Sequence, residues 1–173
     1  TSSLVGSEMC IRDSRSTLEY KFPAILRNWT QNDFIQDWVR GRAALNVKKV
    51  VNKQQRHPYE PCYLYEAGIR PLEQYPIKGI IWYQGESNVS RRNEYKDLLT
   101  AMIADWRQHW NRPDMPFYVI ELADFLSPED KGGRAAWAEF RKVQAEVANT
   151  NKNVTLIKNG DLGEWNDIHP LDK

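Results

Sequence analysis

Ile77-Lys-Gly-Ile-Ile-Trp-Tyr83 runs straight into Gln84-Gly-Glu-Ser-Asn88. The fold turns on this junction. Residues 77–83 are largely β-branched or aromatic over the length of a strand, and the polar run that follows ends it. Downstream, Tyr95, Leu98, Leu99, Met102, Ile103, Trp106 and Trp110 repeat at helical spacing, which predicts one apolar helix face. Asn111-Arg-Pro113 should stop that helix, because proline cannot continue it. Phe117-Tyr-Val-Ile-Glu-Leu122 reads as a second strand. A loop with Pro128 and Gly132-Gly133 leads to a second helix carrying Trp137, Phe140, Val143 and Val147, and Val154-Thr-Leu-Ile157 reads as a third strand. Strand, helix, strand, helix, strand is the pattern of βαβ units, hence a parallel α/β sheet with right-handed crossovers.

That topology says where chemistry belongs. Open parallel sheets hold their sites beyond the carboxyl ends of the strands. The loops at 84–88, 123–127 and 160–169 all fall there. They offer a neutral amide at Gln84, carboxylates at Glu86, Asp161, Glu164 and Asp167, and an imidazole at His169. An imidazole is the natural general base near neutral pH, and a carboxylate on its far nitrogen fixes the tautomer. The Gln84 amide carries N–H donors suited to a developing oxyanion. On composition alone, a His-Pro after an Asp could equally be a capped loop.

The flanking sequence is less regular. Phe22, Ile25, Leu26 and Trp29 have helical spacing, with Pro23 where a first turn tolerates it, and Phe34, Ile35, Trp38 and Val39 repeat the spacing. Lys48 to Arg56 is a short basic run that reads as a solvated face or loop rather than a phosphate site. Residues 63–72 form a short amphipathic segment weakened or ended at Gly68. Thr1 to Ser14 has no period and leads into nothing; the run SLVGSEMCIRDS resembles translated sequencing adaptor, so a non-native leader is expected over 1–14. The chain of 173 residues is 41% hydrophobic and 27% charged, as expected for one folded domain or a piece of one. Its 24 Lys+Arg balance 23 Asp+Glu, which argues against a nucleic-acid footprint. No run reaches the ~18 apolar residues that a membrane helix needs. Cys10 and Cys62 have no metal-ligand spacing.

IWYQGESN followed some eighty residues later by NDIHP resembles the SGNH-hydrolase superfamily. More narrowly, it is similar to the sialate O-acetylesterase-like branch, related to carbohydrate esterase family 6. The AWAEFRKVQ segment at 136–144 and LYEAGIRPL at 64–72 share that likeness, which covers about residues 16–173.

The resemblance implies a three-layer α/β/α flavodoxin-like SGNH-hydrolase fold, here incomplete, with residues 15–173 as the C-terminal part of the catalytic domain. It implies an esterase that removes acetyl groups from carbohydrate, without a metal or organic cofactor. His169 would be the general base and Asp167 its orienting carboxylate; Gln84 would help form the oxyanion hole, beside Gly85 and Glu86. Asn88 and Trp165 would line the substrate. The wider superfamily places Asp three residues before His, where this chain has Asn166, so Glu164 and Asp161 stand as substitutes for Asp167. The family's nucleophile is a serine in a Gly-x-Ser motif at an upstream strand, and nothing after residue 14 matches it. Ser87 lacks the second glycine of a nucleophile elbow, position 89 being valine. The serine and the central strand that bears it are therefore expected outside this sequence, and the chain alone is expected to be marginally stable and inactive. Family habit points to export to the periplasm or beyond.

Three other readings compete. A glycoside hydrolase would pair Glu86 with Asp167 or Glu164, carboxylates roughly 5–9.5 Å apart. A non-catalytic carbohydrate-binding remnant would use Trp82, Tyr83 and Trp165. In a purely structural reading, the polar loops only cap strands.

Overall fold

The computed structural model describes residues 29–31, 35–48, 50–51 and 57–168. Thr1–Ser14, the segment from Phe22 to Leu26, most of the basic run at 48–56, and His169 lie outside them. The chain divides into two compact units after Tyr75.

The second unit contains the sheet. Strand β1 (Ile80–Trp82) pairs in parallel with β2 (Phe117–Ile120), and β2 pairs in parallel with β3 (Val154–Ile157), so the spatial order follows the sequence order. Helix α2 (Arg92–His109) joins β1 to β2, and α3 (Lys131–Thr150) joins β2 to β3. The chain is thus α/β with a parallel sheet, as the junction at Tyr83 predicts. Two strands are shorter than their apolar runs. β1 begins at Ile80 because Gly79 lies against Pro116: a Cβ there would stand 2.9 Å from the proline ring. β2 ends at Ile120; Glu121 N–H still reaches the Ile157 carbonyl (2.9 Å), while a side chain takes over at the Ile120 carbonyl and Leu122 N–H. The Gln144 amide accepts from Leu122 N–H (3.0 Å) and donates to the Ile120 carbonyl (3.1 Å). Gln144 is fully buried, on the same helix face as Trp137, Phe140 and Val147.

Both helices cover one face of the sheet. Ile80, Phe117 and Val154 share one row of the register, and Trp82, Val119 and Leu156 another. The α2 ring Trp106 stands 5.9 Å from Trp82 and 6.5 Å from Phe117, centroid to centroid. α3 adds Phe140, whose ring packs 4.5 Å from that of Tyr95 on α2. The opposite face carries Ile81, Tyr118 and Ile157, all exposed. Local chemistry sets the helix ends. The Asp130 carboxylate accepts from Gly133 N–H (2.9 Å) as the cap of α3. α2 closes where Asn111 takes a left-handed conformation (φ +50°) and Arg112 N–H returns to the Arg107 carbonyl (2.9 Å).

The first unit is built on helix α1 (Asp37–Val47), which carries Trp38 and Val39 of the apolar spacing read from Phe34. Ile35, Val39 and Tyr59 form its buried cluster, with Trp29 packed against it. His57 sits among these rings, 4.9 Å from Tyr59 and 6.0 Å from Trp29. Its Nδ1 accepts from Tyr59 N–H (3.0 Å), and burial pushes its pKa below the ordinary 6.5, against the opposing pull of Glu60. The 63–72 segment resolves into a π-helical turn over Tyr65–Ile69 and a 3-10 turn over Arg70–Leu72, with Gly68 inside the former. Among the described residues, no helix is long and apolar enough to cross a membrane.

Candidate active site

Three loops leave the carboxyl ends of β1, β2 and β3 and meet at one edge of the second unit. The first is held from below. Gln84 and Asn88 are buried, and the Gln84 Nε2 donates to Asn88 Oδ1 (2.6 Å). The Gln84 carbonyl accepts from the Tyr95 hydroxyl (3.0 Å), which ties the loop to α2. Between them Gly85 has φ +149°, and an added Cβ would lie 2.4 Å from the Phe140 ring. Only glycine suits this position, on both backbone and steric grounds. The QGE motif is thereby clamped between α2 and α3. Asn88, expected at the substrate, supports Gln84 from within the core.

The second loop is a scaffold for the third. Trp137 Nε1 donates to the Ala123 carbonyl (2.9 Å). Asp124 is gripped by two α3 arginines, Arg134 (3.1 Å) and Arg141 (3.5 Å), which also donate to the Leu126 carbonyl (2.9 Å) and the Leu122 carbonyl (2.8 Å). On this frame lies the third loop. Asp124 N–H donates to the Leu162 carbonyl (2.7 Å), and Leu126 N–H to that of Trp165 (2.9 Å). Gly163, at φ +99°, is pressed so close that a Cβ would meet the Asp124 carbonyl at 2.5 Å. Asn159 is buried and its Nδ2 lies 3.5 Å from the Tyr83 hydroxyl.

The loops enclose a pocket. Tyr83 and Glu86 line it from the first loop, Ala123, Asp124 and Phe125 from the second, Trp137 from α3 and Ile168 from the third. Of the residues read from sequence, Glu86 is therefore on the pocket wall, while Gln84 and Gly85 lie buried in the same loop. Asp167 is exposed, and its N–H donates to the Glu164 carbonyl (3.3 Å). Trp165 is 55% exposed, while Asp161 and Glu164 are also open to solvent. His169 lies outside the described residues, and its neighbour Ile168 is on the pocket wall. Cys62, in the other unit, is buried, and that burial, with Glu66 beside it, pushes its thiol up to about 12. Such a thiol holds its proton and is a poor nucleophile.

Asp124, Arg134, Arg141 and Gln144 do not stand out in the sequence as site residues. One signal was available. Gln144 interrupts the apolar stripe of α3, and Arg134 and Arg141 are seven apart, hence on one helix face.

Comparisons with known proteins agree with this arrangement. The family model for "Carbohydrate esterase, sialic acid-specific acetylesterase" matches residues 33–172. Sialate O-acetylesterases from Homo sapiens and Pongo abelii are each 30% identical over 179 residues, covering 91% of this chain and 34% of theirs. The enzyme of the same name from Rattus norvegicus is 31% identical over 131 residues, 67% of this chain and 24% of its own. A crystal structure of a carbohydrate acetylesterase from Xanthomonas citri superposes with a TM-score of 0.54 at 32% identity, over 74% of this chain and 28% of that one. The chain thus spans about a third of the length of the curated relatives it matches. With its strand order, its QGES loop and a model match over most of its length, this chain belongs to the carbohydrate esterase family of sialic acid-specific acetylesterases.

Proposed function

We propose that the protein to which this chain belongs hydrolyses acetyl esters on carbohydrate by a serine mechanism, with residues 15–173 supplying every part of the site except the nucleophile. The observation that carries this reading is the shared pocket: Ile168, next in sequence to His169, lines it together with Glu86 of the QGE loop. The loop that begins at Gln84 and the loop that runs to Ile168 meet at one edge of the sheet, which supports a base at position 169 working with an oxyanion donor at position 84.

In this reading an upstream serine hydroxyl attacks the acetyl carbonyl while His169 accepts its proton, with Asp167 orienting the imidazole. The carbonyl π electrons move onto oxygen, and the oxyanion is held by the Gln84 amide with backbone N–H groups. The Gln84 Nε2 keeps a second hydrogen beyond the one given to Asn88, so the Asn88 bond aims the amide without exhausting it. Collapse expels the sugar hydroxyl, which takes the proton from His169. Water, deprotonated by the same base, then releases acetate. Glu86 and Gly85 shape the pocket, and exposed Trp165 offers a flat apolar face to the sugar beside it.

Acetate release from an O-acetylated saccharide tests the division of labour. The 173-residue chain should release none above buffer hydrolysis, whereas the same chain continued upstream through a strand and a Gly-x-Ser motif should turn over. Robust hydrolysis by residues 15–173 alone would contradict the assignment of the nucleophile.

A further inference from the structure

We infer that Glu121 is a positioning residue of the candidate site, acting chiefly by the reach of its carboxylate. Glu121 follows β2 directly, and its Oε2 accepts from two consecutive backbone N–H groups of the third loop, Asn159 (3.3 Å) and Gly160 (3.0 Å). They lie two and three residues beyond the end of β3. Left unbonded, they would be free to choose another path. The fit is close on both sides: a Cβ on Gly160 would stand 2.9 Å from Glu121 Oε2 and 3.4 Å from the Arg141 guanidinium. The loop is thus laid against the carboxylate at its start, and against Asp124 and Leu126 further along. Glu121 does not itself line the pocket and acts through the course of residues 159–168.

The importance of that course rests on the reading that this loop carries the catalytic base. The test therefore uses no turnover. Two variants of the full chain separate reach from charge. Glu121→Gln keeps an oxygen at the same distance and removes the charge, while Glu121→Asp keeps the charge and withdraws the oxygen by one methylene. Amide hydrogen exchange at Asn159 and Gly160, and the NMR signals of the His169 imidazole, are read in both, with α3 amides as the internal reference for overall stability. Glu121→Asp should speed exchange at the two amides by about tenfold or more relative to α3, and shift the imidazole signals. Glu121→Gln should speed exchange by clearly less than Glu121→Asp does and shift the imidazole signals less, because an oxygen at the same reach still accepts both bonds, each more weakly. The reverse order of the two variants, or equal acceleration in α3 and the loop, overturns the inference. Faster amides with unmoved imidazole signals reduce Glu121 to a local anchor and overturn its positioning role. An inactive chain in the acetate assay bears on the proposed function alone and leaves these outcomes decided.

Discussion

A methyl group added at Gly85 would meet the Phe140 ring at 2.4 Å, in a backbone conformation that side chains rarely adopt. Relief requires moving either the QGE loop or a buried aromatic between two helices. Gly85→Ala should therefore cost roughly 2–4 kcal/mol of stability, read as a lower urea midpoint at unchanged slope. A cost below about 0.5 kcal/mol would show that the loop relaxes freely. Gly163 is bound as closely, but to Ala123 and the Asp124 backbone of the second loop and not to a ring packed between helices. Gly163→Ala should disturb the exchange of third-loop amides while leaving the urea midpoint close to that of the parent. Sequence alone makes Gly85 visible as part of a motif, yet it gives no hint of Phe140 as the reason. Contacts made across 55 residues of chain have no local signature.

At the scale of elements, Gln144 is the most exacting position. It supplies both a donor and an acceptor to the chain just past β2, in a place with no water to replace them. Gln144→Leu keeps the volume and orphans Leu122 N–H and the Ile120 carbonyl, which should cost roughly 2–4 kcal/mol. A neutral result in chemical denaturation would mean that the two groups find other partners. In the first unit a half-buried polar group, His57, is held in a comparable way. Its Nδ1 accepts from Tyr59 N–H, so protonation must break that bond. The folded pKa is lowered from 6.5 by burial, hence the stabilisation is complete above pH 6.5 and is lost as pH falls through the folded value. An imidazole NMR titration should show a midpoint below that of the unfolded chain, with stability falling toward pH 5. A midpoint at or above 6.5 would contradict this.

Periodicity located α2, α3 and all three strands, because helix faces and buried strands announce themselves in hydrophobic pattern. It overran β1 and β2, whose ends are decided by Pro116 against Gly79 and by Gln144, neither of which is a property of the strand itself. The apolar spacing read from Phe34 gave no start for α1, which begins at Asp37. The site divides in the same manner. Gln84, Glu86, Asp167 and His169 stand out in the sequence by side-chain type, and the βαβ order puts the loops that follow β1, β2 and β3 on one edge, where the structure has them meet at the pocket. The supporting residues Glu121, Asp124, Arg134 and Arg141 do not, since they work through backbone groups that any sequence possesses or through ion pairs between segments distant in sequence.

For the molecule as a whole, the sheet presents one covered face and one that carries exposed Ile81, Tyr118 and Ile157. Parallel sheets are ordinarily covered on both faces, and the chain spans about a third of the length of its curated relatives. The two facts agree with a catalytic domain that the 173 residues represent in part. The central claim is that the third loop carries the base of an acetylesterase. Acetate release from an O-acetylated saccharide, measured on the protein extended upstream of Arg15, tests it most directly when the parent is compared with His169→Ala. The account predicts a loss of at least about a thousandfold in kcat/KM, with folding unchanged. Retention of activity within about tenfold would contradict it, and would move the chemistry away from the loop that follows β3.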